Sequence, residues 1–199
     1  MEKRSINFEL RAKPESRTIF GTATVFNSSY DMGWYDEEMS PESLNEADMK
    51  DVVALFNHDM NMVLARTSSG TLKLNVTGNA MEYEFEAPNT TLGNDLLEMV
   101  KRGDVYQSSF AFTVEAEDWQ ERQGMKPKRV IRSIKKVYDV SPVTYPASPD
   151  TMVAKRSYEA TKEIDKDLQT IIDISVKSEI NIQNELRRNA LHLLNLKTK

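Results

Sequence analysis

Cysteine is absent from the 199 residues, which excludes disulfides, thiolate nucleophiles and cysteine-ligated zinc. Histidine is scarce too: His58 and His192 are the two present. A zinc site would have to rest on one imidazole plus carboxylates, so no metal and no other cofactor is implied. No stretch approaches the ~20 apolar residues of a membrane span, and the first nine residues, Met1-Glu-Lys-Arg-Ser-Ile-Asn-Phe-Glu9, contain no apolar signal-peptide core. No membrane partner is expected. An excess of positive charge is missing as well. Lys and Arg number 26 against 31 Asp and Glu, for a net charge of −5, which argues against a nucleic-acid binder. Triplets resembling glycosylation sites begin at Asn27, Asn75 and Asn89; without a secretory route they read as chance. The expected place of work is a cytoplasm, or an assembly built within one.

What is present is a soluble globular composition, 39% hydrophobic and 29% charged, long enough for one good core and an appendage. Residues 1–156 read as a strand-rich domain. Thr18-Ile-Phe-Gly-Thr-Ala-Thr-Val-Phe26 alternates with period two and is β-branched and aromatic. Ser40-Pro-Glu-Ser-Leu44 reads as a helix start, with Ser40 as N-cap and Pro41 at the first helical position. The apolar run 51–56 predicts a buried strand that delivers Asn57 and His58 at its end. A hairpin is predicted from Leu72, Leu74 and Val76 facing Met81, Tyr83 and Phe85 across Thr77-Gly78-Asn79. A helix over 91–102 with Gly103 as its stop follows. Strands are predicted over 106–114 and 128–140, joined through the basic turn 122–128. Strands at this spacing with few helices suggest a barrel or a strongly bent antiparallel sheet.

Residues 157–199 change character. They hold no Gly and no Pro, and Ile164, Leu168, Ile171, Ile182, Leu186 and Leu193 fall near heptad spacing. One long amphipathic helix, or two, is predicted, although the β-branched run 170–176 opposes it.

His192 lies on that tail as an ordinary helix-surface residue. His58 follows a buried run and sits in Asn57-His58-Asp59, where a chain leaving a sheet can present a side chain to a cleft. Ser109 interrupts an aromatic strand, Gln107-Ser-Ser-Phe-Ala-Phe112, on the face opposite the phenylalanines. A hydroxyl is a poor nucleophile unless a base takes its proton and a third group orients that base. His58 is the base available in the main domain. For the orienting acid, Asp59, Asp104 and Asp139 stay open.

Taken in order, several segments resemble the HK97-type prohead (capsid maturation) protease family. They are Gly21-Thr-Ala-Thr-Val-Phe26, Ser40-Pro-Glu-Ser-Leu44, Leu55-Phe-Asn-His-Asp59, Leu64-Ala-Arg-Thr67 with Gly70-Thr-Leu72, Arg102-Gly-Asp104, Ser109-Phe-Ala-Phe112 and Tyr138-Asp-Val-Ser-Pro-Val-Thr-Tyr-Pro-Ala147. The match runs along most of residues 8–156. It implies Ser109 as nucleophile, His58 as base and Asp139 as the acid, where the family commonly carries Glu. It also makes Arg66 a candidate oxyanion donor, with a surface ion pair as the alternative. Ala65 departs from the Gly often found there. Through its likeness to herpesvirus assembly proteases, the family implies an α+β, mainly β fold: an antiparallel β-barrel ringed by a few helices, plus the long C-terminal helical tail.

The implied activity is a serine endopeptidase inside the assembling prohead in the host cytoplasm. Its partners would be the major capsid protein and its scaffold or delta domain, and its substrates would include itself. The tail beyond about Ala147 would be a docking segment removed by self-cleavage, or a helix for homo-oligomerisation. The rival from another class is a non-catalytic capsid scaffolding module; only catalysis requires Ser109 and His58 together.

Overall fold

The computed structural model describes residues 1–6, 10–13, 15–145 and 151–197, and the chain divides into two units, Met1–Thr151 and Met152–Lys199. In the first unit, alternating β-branched and aromatic runs become strands whose inner faces share one core. The strands are β1 (Glu2–Ile6), β2 (Leu10–Ala12), β3 (Thr18–Val25), β4 (Tyr30–Asp31), β5 (Asp36–Met39), β6 (Val53–Leu55), β7 (Val63–Arg66), β8 (Leu72–Val76), β9 (Ala80–Glu86), β10 (Gln107–Gln120) and β11 (Lys128–Val143). The hairpin predicted between 72 and 85 is β8–β9, with Leu72 opposite Phe85 and Leu74 opposite Tyr83.

Among the described residues the strands make two open sheets, and no closed barrel forms. One sheet runs β1-β10-β11-β5-β4, with β6 and β7 added beside the second half of β11; the other runs β2-β3-β9-β8. The larger sheet is mixed, because β5 and β6 both pair with β11 in parallel. The predicted antiparallel barrel is therefore corrected to two sheets around a common core. The ring of helices is corrected as well: among its described residues this unit holds one α-helix beside its sheets, α1 (Thr91–Arg102), and a short 3-10 turn at Pro41–Leu44. Ser40 stands at the N-cap position of that turn but makes no side-chain cap bond, and Pro41 opens it as expected.

Phe110, Phe112, Ile131, Ile134, Val137 and Val140 of the larger sheet share the core with Ile19, Met81, Tyr83 and Phe85 of the smaller one, and with Leu96 and Val100 of α1. The helix begins where the Thr90 hydroxyl accepts from the Gly93 N–H at 3.1 Å. It ends at Gly103, whose φ of 82° suits a residue without Cβ. β10 and β11 pair along their whole lengths, from Gln107 opposite Val143 to Gln120 opposite Lys128, with bulges that bend the ribbon.

Four charged side chains, Glu2, Arg4, Glu37 and Arg129, are buried together in this unit, with the partly exposed Glu117 at their edge. Arg4 pairs with Glu2 and Glu37, while Arg129 binds Glu2, Glu37 and Glu117. Arg129 is 1% exposed, and its guanidinium reaches Glu2 at 2.7 and 2.9 Å and Glu37 at 2.9 Å. Such charges stay buried because each is paired and hydrogen-bonded. The network ties β1 to β5, β10 and β11. Tyr35, buried in the same region, has its hydroxyl pKa pushed up to about 12 by burial and by the Glu37 charge.

The second unit consists of one helix, α2 (Thr151–Lys197). It starts six residues before the predicted boundary at 157 and runs straight through the β-branched stretch 170–176. Ile164, Leu168 and Ile171 are exposed along it. The side chains of Ile182, Leu186, His192 and Leu193 lie outside the described residues, as do Pro146 and Ala147.

Candidate active site

Ser109 sits in the middle of β10, between β1 and β11, with Ser5 and Ser141 as its cross-strand partners. Its neighbours Phe110 and Phe112 turn into the core, so period two sends the Ser109 side chain to the other face of the sheet. Asp139 lies on β11, opposite Ala111. The small side chain of Ala111 leaves that part of the face low enough for a ring to lie across it.

The ring comes from the turn after β6. Val53 and Ala54 pair in parallel with Asp139 and Val140, so the chain leaving β6 runs beside β11 toward its end. There the Asn57 N–H donates to the Pro142 carbonyl at 3.0 Å. Asn57 and His58 then both take the left-handed backbone, with φ of 55° and 56°, which reverses the chain. Asn and His are among the non-glycine residues that tolerate this region best. The Asn57 side chain fastens the turn a second time: its Oδ1 accepts from the Thr144 N–H at 2.9 Å, and its Nδ2 donates to the Thr144 hydroxyl at 3.3 Å.

The His58 imidazole consequently stands between the two strands. Its Nε2 lies 2.7 Å from Ser109 Oγ and its Nδ1 lies 2.5 Å from Asp139 Oδ1. The imidazole and the carboxylate are 5% and 7% exposed, so neither hydrogen bond is diluted by bulk water. An ionised carboxylate only accepts, so Nδ1 carries the hydrogen and Nε2 of the neutral ring is left as an acceptor for the serine proton. Two further contacts complete the surroundings. Ser109 Oγ lies 2.9 Å from the Arg4 carbonyl, which gives its single proton a second acceptor. Ser141 Oγ lies 2.7 Å from the same Asp139 oxygen that meets His58.

Of the three acids left open by the sequence, Asp139 is the one that reaches the imidazole. Asp59 stays within its own turn and accepts from the Asn61 N–H at 2.8 Å. Asp104 pairs with Arg102 at 3.1 Å. Arg66 lies on β7, beyond β6 from Asp139, and its guanidinium gives Nε and Nη2 to Asp51, both at 2.6 Å. That pair holds the Asp51 carboxyl well below the usual carboxylate range. This is the surface ion pair that the sequence offered as the alternative to an oxyanion role. Ser108, adjacent to the nucleophile candidate, faces the other way, and its hydroxyl meets the buried Tyr83 hydroxyl at 2.8 Å.

Sequence reasoning missed Ser141, the Asn57 clamp and the Arg4 carbonyl. The Asn57 clamp and the Arg4 carbonyl depend on which distant segments lie side by side, which leaves no local signal, whereas Ser141, two residues from Asp139 on the same strand face, could have been found from the period-two spacing.

The arrangement can move a proton from a hydroxyl to an imidazole held by a carboxylate, which is the chemistry of acyl transfer by serine. No curated protein and no solved structure matches the chain. The profile described as caudovirus prohead serine protease does match, over residues 6–164, and with that match the chain belongs to this family of phage capsid-maturation peptidases.

Proposed function

We propose that the protein is a serine endopeptidase of prohead maturation, with Ser109 as nucleophile, His58 as general base and Asp139 as the group that orients and charge-balances the imidazole. The reading rests on one observation, the imidazole bridging Ser109 Oγ and Asp139 Oδ1 at 2.7 and 2.5 Å. Ser109 rotates its proton from the Arg4 carbonyl to His58 Nε2 and attacks the scissile carbonyl carbon. The C–N bond breaks as His58 returns that proton to the leaving amine, leaving an acyl-enzyme. Water, deprotonated by the same imidazole, then attacks the acyl carbon; the C–Oγ bond breaks, the imidazole returns the proton to Ser109 Oγ, and the acid leaves.

The substrates in this reading are scaffold or delta-domain segments of the major capsid protein, together with the protease's own chain, cut inside the assembling prohead. Exposed Ile164, Leu168 and Ile171 on α2 suit a helix that docks on capsid scaffold or on a second copy. Co-expression with the phage's major capsid protein tests the activity. The wild type is expected to yield trimmed capsid protein and Ser109→Ala to leave it full-length. Trimming that persists in Ser109→Ala overturns the serine mechanism.

A further inference from the structure

We infer that Ser141 is a positioning residue of this site, a second hydroxyl that fixes the Asp139 carboxylate so that one chosen oxygen meets His58. The inference rests on the proposed roles of Ser109, His58 and Asp139.

Ser141 is fully buried, two residues beyond Asp139 on β11, so the two side chains share a face. Directly across the ladder stands Ser109, which places Ser141 beneath the space the imidazole spans. Its Oγ lies 2.7 Å from Asp139 Oδ1, the oxygen that also lies 2.5 Å from His58 Nδ1. An ionised carboxylate has no hydrogen to give, so Ser141 is the donor. Having one proton and giving it to Asp139, it does not compete with Ser109 for the imidazole.

The physical need for such a donor lies in the aspartate side chain. The terminal torsion of a carboxylate is broad and roughly two-fold, so packing alone does not choose which oxygen faces the ring. One bond, to the imidazole, leaves the carboxylate free to rock about that contact. A second donor from a rigid strand at a different angle removes the freedom. Because the site is buried, water cannot readily take over the task when the hydroxyl is removed. Ser141 touches neither substrate nor the reacting atoms, and it acts through Asp139.

The test is Ser141→Ala in the full chain, followed by the rate at which a fluorophosphonate probe labels the protein, with Ser109→Ala as the blank. Ser109-dependent labelling of the wild type checks the protease reading separately in the same gel. Labelling of Ser141→Ala is expected to slow about tenfold, the loss typical of one hydrogen bond to a charged group, with its melting temperature recorded as a control for folding. Ser141→Ala added to Asp139→Asn should cost nothing further, since its effect runs through that carboxylate. The proton resonance of His58 Nδ1, assigned by its loss in His58→Gln, should move when Ser141 is replaced, which a remote structural change would not bring about. Wild-type labelling rates with an unmoved resonance, or the same tenfold loss repeated on Asp139→Asn, overturn the inference.

Discussion

Ser108 and Ser109 send their hydroxyls to opposite faces of β10, Ser108 to Tyr83 at 2.8 Å and Ser109 to His58 at 2.7 Å. The first bond lies inside the core and joins the two sheets; the second lies on the outer face. Replacing each serine should therefore separate stability from activity. Ser108→Ala strands the buried Tyr83 hydroxyl and should cost about 1–3 kcal/mol of stability while leaving turnover near wild type. Ser109→Ala should keep the melting temperature and lose on the order of a millionfold in turnover. Thermal unfolding and capsid-protein cleavage, measured on both variants, check the two halves.

Asp139 offers a sharper contrast with the acids that stay elsewhere. Asp139→Asn keeps the shape but no longer selects the tautomer with hydrogen on Nδ1, and kcat should fall by about 10⁴. Asp59→Asn and Asp104→Asn should remain near wild type, because their carboxylates are engaged with Asn61 and Arg102. Loss of activity in either of those, with Asp139→Asn active, would reassign the acid.

These contrasts also mark what was legible in the sequence. His58 and Ser109 stood out because the chain offers one histidine in the main domain and a small hydroxyl just before Phe110-Ala-Phe112, on the face opposite the phenylalanines. The hairpin β8–β9 and helix α1 were legible because turn, cap and period all lie within a few residues. Barrel closure was not: strand count is local, but closing a sheet depends on stagger and pairing across the whole chain. The parallel pairings of β5 and β6 with β11 were invisible for the same reason. Arg4 and Arg129 were unreadable as interior residues, since a guanidinium reads as surface until its carboxylates are placed around it.

Asn57 carries two duties that substitutions can divide. Its backbone is left-handed, and its side chain bridges to Thr144. Asn57→Gly keeps the first and loses the second, whereas Asn57→Ala loses both. Ala should be less stable than Gly by about 1 kcal/mol, the cost of a Cβ in the left-handed region. Both variants should reduce kcat by freeing the turn that aims His58. A glycine variant with full activity would show that the clamp does not hold the ring.

Acid sensitivity should trace to Glu2. Burial works against its charge, yet hydrogen bonds and attraction from Arg129 and Arg4 outweigh that cost and hold its pKa below the ordinary 4.5. Unfolded, the group titrates near 4.5. The pairing therefore contributes its full stability above that pH and loses it as pH falls through the lower folded value. Protonation there takes a shared partner from two buried guanidinium groups, and β1 is the strand they hold against Ser109. Urea unfolding followed from neutral pH downward should show a stability loss beginning near pH 4.5. Glu2→Gln should be less stable at neutral pH and flatter across that acid range. An unchanged acid slope in Glu2→Gln would place the sensitivity in other carboxylates, and β1 would then owe its place to its ladder with β10 rather than to the charges beneath it.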